Sequence, residues 1–296
     1  MIEHPLTPLT ADEISTAASC VKAQSGLDDN AFFETITLDE PDHDEMAAFR
    51  ANGTRPARWA YVCCYERSSN RTLRGVVDLG AERLVSWDHV PGVQARIPPE
   101  EFVLSDAIAK ADPRVVEALA KRGITDLSKV LIETWAPGNF GHADEVGKRW
   151  AYCHCWVMNE AGDNRYGRPI ANLHPVFDLQ NQVVLRVDDF GVVPLPPDSA
   201  AIRPADGLRR DIKPLTISQP EGPSFEVDGY HVRWQRWNVR IGYNLREGLV
   251  LHDIGYEDDG ELRPIMHRAS MAEMVVPYGD PTGGNYRRNA FDTGEY

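Results

Sequence analysis

A proline-rich segment about two thirds of the way along this 296-residue chain constrains its fold more than any other feature. Residues 191–223 contain seven prolines and show neither helical nor strand periodicity. Proline fixes φ and lacks the N–H that a helix or an inner strand needs, so such a segment is typical of a linker. We assign the linker to residues 191–218 and treat the regions before and after it separately.

The first region, residues 1–92, begins with a strong helix signal. Thr10 and Glu13 have the spacing of a capping box, and Ile14, Ala17 and Val21 follow at helical intervals. Further along, alternating apolar and polar residues predict strands at 32–38, 58–65, 72–78 and 83–87, with a short acidic helix at 42–49. This order predicts a small domain in which helix packs on antiparallel sheet.

The second region, residues 93–190, repeats that plan. Pro98 and Pro99 open a predicted helix that runs to about residue 110, and Asp112 with Pro113 caps a second one at 114–121. Predicted strands follow at 129–135, 149–158, 170–178 and 182–187. The repeat lies in the order of the elements and not in the residues themselves. It therefore indicates two similar modules and leaves a gene duplication open.

Residues 219–296 read as all β. Asp228-Gly229 separates two alternating runs and is the sharpest hairpin signal in the chain. Predicted strands lie at 225–227, 232–234, 237–243, 249–256, 262–268 and 271–276. The predicted fold class is α+β: two small helix-on-sheet domains followed by the start of a β-sandwich.

Charge and hydropathy exclude several classes of protein. The chain carries 31 Lys and Arg against 45 Asp and Glu, a net charge of -14, which repels phosphate backbones and argues against a nucleic-acid partner. No apolar run approaches the roughly 18 residues of a membrane span, and the first ten residues do not resemble a signal peptide. We therefore expect a cytoplasmic protein without a membrane partner.

The five cysteines are expected to be reduced and buried, because an odd number without an export signal argues against a disulfide framework. Cys153, His154 and Cys155 also suggest a metal corner. Alternation along a strand, however, places the two sulfurs on one face and the imidazole on the other. We favour buried thiols over a metal site.

Seven sequence blocks after Gln219 resemble, in order, the opening of the catalytic domain of the copper-containing, topaquinone-dependent primary amine oxidases. The amino-terminal two thirds resembles the two small domains of that family, N2 and N3, more loosely, with anchors at His4-Pro-Leu-Thr-Pro-Leu-Thr10 and Pro98-Pro-Glu-Glu101. The seven blocks are Gln219-Pro-Glu-Gly-Pro-Ser-Phe225, Trp234-Gln-Arg-Trp237, Arg246-Glu-Gly-Leu-Val-Leu-His252, Arg263-Pro-Ile265, Arg268-Ala-Ser270, Ala272-Glu-Met-Val-Val-Pro-Tyr-Gly-Asp280 and Asn289-Ala-Phe-Asp-Thr-Gly-Glu-Tyr296.

The resemblance implies roles for five residues. It places Asp292 as the base that removes a proton from the carbon beside the amine nitrogen, a task for which a dry pocket raises a carboxyl pKa toward working pH. It places Tyr278 as a hydrogen-bond partner of the quinone, and Ala290 at the end of the substrate channel, where a small residue leaves room for a larger amine. Phe102 and Tyr166 are the implied channel-wall residues. A strand-end turn at Asp292, a buried structural tyrosine at Tyr278 and plain core or surface aromatics remain the alternatives.

The chain also departs from the family pattern. None of its nine histidines forms the His-x-His pair of the copper site, and the quinone precursor, a Tyr followed by Asp or Glu, is expected beyond Asp292. Thr282-Gly-Gly-Asn-Tyr286 looks like that motif, but Arg287 follows where an acid belongs, so we do not interpret Tyr286 as the precursor. The resemblance thus implies copper(II) and topaquinone in the complete enzyme and no metal site in this chain.

Two hypotheses follow. In the first, the chain is the amino-terminal part of a homodimeric primary amine oxidase that uses O2 to convert a primary amine to an aldehyde, with release of ammonia and hydrogen peroxide, and that needs a missing carboxy-terminal part. Unpaired edges and an uncovered apolar face in the third region are expected to require that part. In the second, the chain is a non-catalytic binding or assembly module derived from the small domains.

Overall fold

The computed structural model describes residues 4–160, 163–195, 197, 211–271 and 279–288. These residues fall into two compact units, each built from two stretches of the chain. The first unit joins residues 4–91 to residues 215–271. The second unit joins the described residues between 92 and 214 to residues 279–288. The fold is therefore organised by contacts between segments that are far apart in the sequence.

The first stretch of the first unit is a helix packed on a four-stranded antiparallel sheet with the strand order β1-β2-β3-β4. The Thr10 hydroxyl accepts the backbone N–H of Glu13, and the Glu13 carboxylate accepts that of Thr10, so the predicted capping box starts the first helix. That helix buries Ala17, Cys20 and Val21 against the sheet. The elements are α1 (Ala11–Gln24), β1 (Phe32–Asp39), α2 (His43–Asn52), β2 (Trp59–Glu66), β3 (Arg71–Asp78) and β4 (Arg83–His89).

The second unit repeats the layout with two helices on one face of a sheet ordered β5-β6-β7-β8. Pro99 and Pro113 each occupy the first turn of a helix, and the Asp112 carboxylate caps the second helix by accepting the N–H of Arg114. The core lies between these helices and the sheet. The elements are α3 (Pro99–Ala111), α4 (Pro113–Ala120), β5 (Val130–Trp135), β6 (Trp150–Val157), β7 (Leu173–Asp178) and β8 (Val183–Asp189).

The remaining strands of the first unit form an antiparallel meander ordered β13-β12-β11-β10-β9. Asp228 pairs with His231 across Gly229, whose φ is +56°, which confirms the predicted Asp-Gly hairpin. The strands are β9 (Phe225–Asp228), β10 (His231–Trp234), β11 (Trp237–Asn244), β12 (Gly248–Asp258) and β13 (Glu261–Ser270). Most of the predicted strand 271–276 lies outside the described residues.

The predicted α+β fold class is thus confirmed, with one clear local error. The strand predicted to begin at residue 170 begins at Leu173, because Asn172 adopts a φ of +61° and interrupts the extended backbone. Among the described helices, none combines the length and the apolar character that crossing a bilayer needs. The exact domain boundaries given above stay predictions.

The cysteine prediction is also confirmed: all five thiols are free and buried. Cys153 and Cys155 belong to the core beneath the helices, whereas His154 lies on the opposite face of the sheet with other aromatic rings. Strand alternation therefore separates the sulfurs from the imidazole, as the sequence predicted.

Gly75 in β3 tests how tightly the first sheet is packed. A Cβ at this position would overlap the carbonyl oxygen of Ser86 and lie 2.6 Å from Cε3 of Trp87. We expect Gly75→Ala to lower the free energy of unfolding by about 1–3 kcal/mol in urea titrations, because β4 must shift to make room. Gly80→Ala, in the turn after β3, is the control, since its nearest contact is Asp78 Oδ1 at 3.5 Å. Equal stability of the two variants would contradict the packing described here.

Candidate functional site

The structure describes residues that are next to the predicted catalytic residues in the sequence. Asp292, Tyr278 and Ala290 lie outside the described residues, so their predicted roles are not tested by it. Residues 279–288, which separate Tyr278 from Asp292 in the sequence, are described and belong to the second unit. The contacts of this short segment are therefore the closest structural information about the predicted site.

Phe102 and Tyr166, the predicted channel residues, are both described. Phe102 lies on α3 and is half-buried. Tyr166 is 50% exposed, its hydroxyl donates to Oε1 of Glu133 at 2.8 Å, and its ring meets that of Trp156 edge-on at 5.3 Å. Each aromatic ring thus has accessible surface, which a channel wall requires, but a surface aromatic has it as well.

Aromatic rings lie on the face of the β5–β8 sheet opposite the helices, and we call a group of them the aromatic face: Trp135, Tyr152, His154, Trp156 and His174. Tyr152 stacks on His174 with ring centroids 4.7 Å apart, and His154 meets His174 edge-on at 5.1 Å. Both imidazoles are 1% exposed. Alternation along β5, β6 and β7 puts these side chains on one face of the sheet. Pairing of the three strands then brings them into contact with one another.

Burial keeps both imidazoles neutral. Desolvation, with the nearby charge of Arg288 and the neighbouring His174, lowers the pKa of His154 to about 2. Burial also lowers the pKa of His174, although its Nδ1–H donates to the carbonyl oxygen of Cys153 at 3.1 Å. The aromatic face is therefore an uncharged layer at neutral pH.

Residues 279–288 cover this aromatic face at close range. Gly283 and Gly284 have φ values of +55° and +76°, which favour glycine. A Cβ on Gly284 would overlap the hydroxyl of Tyr152 and lie 3.0 Å from its Cζ, and one on Gly283 would overlap the side chain of Asn172. The two glycines thus allow the backbone to lie directly on the sheet.

Arg287 anchors the same segment. It is 3% exposed, and its two terminal nitrogens donate to Oε1 and Oε2 of Glu145 at 2.7 and 3.0 Å. One of them also donates to the carbonyl oxygen of Pro137 at 3.1 Å, and the guanidinium lies 4.9 Å from the ring centroid of Tyr152. Sequence reasoning noted Arg287 only as a mismatch to the precursor motif. The sequence feature that could have pointed to this anchor is an arginine inside a glycine-rich loop.

A second arginine anchor lies in the first unit. Arg268 on β13 donates through Nε to Oε2 of Glu40, just after β1, at 2.7 Å, and through Nη2 to Glu247. The hydrogen bond from Arg268 lowers the pKa of Glu247 to about 2, although burial opposes the shift. Arg268 belongs to one of the blocks that resemble the amine oxidases, and here it ties the meander to the first sheet.

The first unit also contains a cavity of about 370 Å³ between α2 and the edge of the meander. Apolar side chains, including Ile254, Leu262 and Met266, form much of its wall, and His43 and His267 meet there with ring centroids 5.3 Å apart. Pro264 and Ile265 in its wall belong to one of the seven sequence blocks, but none of the five predicted site residues is among the residues that line it.

Comparison with known families agrees with this architecture. Residues 4–90 match the model "Copper amine oxidase, N2 domain", residues 100–201 match the N3 domain, and residues 226–296 match the enzyme domain. The three matches follow one another in order and together cover most of the chain. The chain belongs to the copper amine oxidase family. The resemblance drawn from the sequence blocks is thereby confirmed.

Relatives within the family are similar along the whole chain. A primary amine oxidase of Arthrobacter sp. (strain P1) is 39% identical over 298 residues, covering 100% of this chain and 45% of the relative. The peroxisomal N-methylputrescine oxidase 1 of Nicotiana tabacum is 36% identical, covering 99% of this chain and 42% of the relative. The chain therefore spans about half the length of the curated relatives that it matches.

A solved family structure has the same fold. The crystal structure of a copper-containing benzylamine oxidase from Hansenula polymorpha superimposes with a TM-score of 0.80 at 25% identity, covering 98% of this chain and 47% of that one. The fold of this chain is thus shared with a copper-containing oxidase.

The described residues do not fit the copper centre that the family implies. Within them, no group of three or more His, Cys, Asp or Glu side chains is arranged to hold a metal ion. His154 and His174 are neighbours, but both are buried in the aromatic face, and no third ligand side chain is grouped with them among the described residues. No step of the chemistry is therefore assigned to copper here.

Glu247 gives a test of the Arg268 anchor. The pKa of Glu247 in the folded protein, about 2, lies below the ordinary value of 4.5. The ionised carboxylate therefore stabilises the folded state fully above about pH 5, and this stabilisation is lost as the pH falls toward 2. We expect Glu247→Gln to lower the free energy of unfolding by roughly 1.5–3 kcal/mol at pH 7, and the difference from wild type to shrink at pH 3. Urea titrations at the two pH values measure both quantities.

Glu226→Gln is the matched control for this test. Glu226 also pairs with an arginine, Arg233, at 2.9 Å, but its side chain is 73% exposed. An exposed pair contributes about 0–1 kcal/mol, so this variant should stay close to wild type at both pH values. A difference between Glu247→Gln and wild type that is the same at pH 7 and pH 3 would rule out the proposed ionisation of Glu247.

Proposed function

We propose that this chain is the amino-terminal part of a copper-dependent primary amine oxidase. The complete enzyme would convert a primary amine, O2 and water to an aldehyde, ammonia and hydrogen peroxide. The observation that carries the proposal is the ordered match of the chain to the N2, N3 and enzyme domains of one family. Relatives named as primary amine oxidases share 33–39% identity with nearly all of the chain, which supports the same reaction class.

The cofactors are proposed to lie outside the described residues. Copper(II) and topaquinone are expected in the complete enzyme, and their ligands and precursor tyrosine in a carboxy-terminal part that follows or joins this chain. The relatives are about twice as long as the chain, which supports the existence of such a part. We also propose that the complete enzyme is a homodimer, as the family resemblance implies.

Within this chain, we propose that Asp292 removes the proton from the carbon beside the amine nitrogen and that Tyr278 orients the cofactor through its hydroxyl. Ala290, Phe102 and Tyr166 are proposed to line the channel through which the amine enters. Two observations support these assignments: the sequence blocks that contain Tyr278 and Asp292, and the anchored segment 279–288 that lies between them in the sequence. A fixed segment between these two residues suits catalysis, which depends on orientation.

The decisive experiment identifies the carboxy-terminal part and assays the complete protein. The coding sequence beyond the Tyr296 codon, or a separately encoded partner, is expected to contain Asn-Tyr-Asp/Glu and His-x-His motifs. The complete protein, purified with Cu(II), should produce hydrogen peroxide when a primary amine is added. If no companion with those motifs exists, the oxidase proposal is wrong and the non-catalytic module becomes the better explanation.

Asp292→Asn tests the catalytic assignment in that complete protein. The substitution keeps the shape of the side chain but removes the base, so we expect kcat for amine-dependent peroxide production to fall at least about 10²–10⁴-fold. Asp44→Asn, whose carboxylate is fully exposed on α2, is the control and should keep wild-type activity. Wild-type turnover by Asp292→Asn would refute the assigned base.

Ala290→Phe tests the channel assignment. A bulky ring at the end of the channel should exclude large amines, so we expect kcat/KM for benzylamine to fall about 10- to 100-fold while that for methylamine changes much less. The ratio of the two substrates serves as the internal control, because a general defect lowers both. An unchanged ratio would show that Ala290 does not border the channel.

A further inference from the structure

Residues 279–288 form a braced segment and not a loose connection. The Asp280 carboxylate accepts the backbone N–H and the hydroxyl of Thr282 at 2.9 and 2.6 Å, and it accepts the side-chain amide of Asn285 at 2.9 Å. A single 3₁₀ turn, Asn285–Arg287, follows directly. The segment therefore has hydrogen bonds of its own in addition to its contacts with the rest of the unit.

One buried charged side chain attaches it to the rest of the unit, beside the contact of Arg288 Nε with His154 Nδ1 at 3.4 Å and the packing of Gly283 and Gly284. The Arg287 guanidinium is buried, and a buried cation is tolerated only when it is paired and hydrogen-bonded. Glu145 supplies both partner oxygens, from a loop 142 residues earlier in the chain. Removal of Glu145 would leave the Arg287 guanidinium buried without this partner, whereas Glu145 also lies 3.8 Å from a nitrogen of Arg186.

Lysine cannot make the same attachment. The planar guanidinium donates to both carboxylate oxygens and, at the same time, lies over the ring of Tyr152 and close to that of Tyr286 at 5.3 Å. An ammonium group offers one point charge and no plane to stack. The two hydrogen bonds and the contact with the Tyr152 ring therefore fix the orientation of the Arg287 side chain as well as its distance from the sheet.

We propose that Arg287 is a positioning residue for amine oxidation: its ion pair with Glu145 fixes residues 280–288 so that Tyr278 and Asp292, which flank them, are held for the reaction. This inference rests on the function proposed above. Arg287 does not touch the reacting atoms in this scheme. It acts through the backbone, and its effect is on orientation and not on proton transfer itself.

Hydrogen exchange on the chain of residues 1–296 tests the attachment without any need for activity. The amides of Asn285, Arg287 and Arg288 donate within the turn at 3.0–3.1 Å and report on its order. We expect these amides to exchange at least about 10-fold faster in Arg287→Gln and in Glu145→Gln, with Arg287→Lys between these variants and wild type. Unchanged exchange in a folded Arg287→Gln protein would overturn the proposal.

Arg58→Lys is the matched control. Arg58, in the first unit, also pairs with a carboxylate through two nitrogens, to Glu13 at 2.8 and 3.0 Å, and donates to backbone carbonyl oxygens. It therefore reproduces the chemistry of Arg287 without contacting residues 279–288. Exchange at Asn285, Arg287 and Arg288 should be unchanged in this variant. A change there would mean that the segment responds to general destabilisation, which would also overturn the proposal.

The complete enzyme then tests the link to catalysis. We expect Arg287→Gln to lower kcat about 10- to 100-fold with KM within about 3-fold, Arg287→Lys to recover part of the loss, and Arg287→Gln with Glu145→Gln to be no worse than either change alone. A wild-type kcat in Arg287→Gln, alongside faster exchange, would refute the positioning role while leaving the oxidase function intact. Absence of amine oxidation in the wild-type complete enzyme would instead refute the proposed function, and the positioning role with it.

Discussion

A four-stranded sheet has two faces, and the helices of each small domain cover only one of them. In the second unit the other face buries two imidazoles and a tyrosine, so it needs a cover that is both close and chemically matched. Residues 279–288 supply it, with glycines where the backbone touches the sheet and a paired arginine where a charge must be buried. A neutral face suits this arrangement, because Arg288 contacts His154 and a protonated His154 would repel it.

Local signals in the sequence predicted most of the secondary structure. The capping box at Thr10 and Glu13, the prolines that open α3 and α4, and the Asp228-Gly229 hairpin each act through neighbouring residues, so they can be recognised without a structure. Strand alternation likewise predicted that Cys153 and His154 face opposite ways. The strand start at Leu173 was missed because the left-handed backbone at Asn172 is a single-residue event within an apolar run.

Long-range partners could not be predicted in this way. Nothing in the local sequence indicates that Arg287 pairs with Glu145 or Arg268 with Glu40, because the partners are separated by 142 and 228 residues. For the same reason the sequence contained no sign that the compact units join early and late stretches of the chain. The catalytic assignments at Tyr278 and Asp292 came from family resemblance alone, since a lone tyrosine or an Asp-Thr-Gly turn has no specific signal of its own.

The two arginine anchors suggest a common reason for retaining the small domains beside a catalytic domain. In each unit an arginine from the region after Gln219 pairs with a carboxylate of a small domain: Arg268 with Glu40, and Arg287 with Glu145. In the first unit the dependence is mutual, because Arg50 on α2 donates to Asp253 on β12 at 2.7 Å. Removing the partner of a buried charge is strongly destabilising, which applies most directly to Arg287 and Glu145, and the more exposed pairs add smaller contributions. The small domains are on this view structural parts of the catalytic region, and their carboxylates are as necessary to its geometry as its own strands.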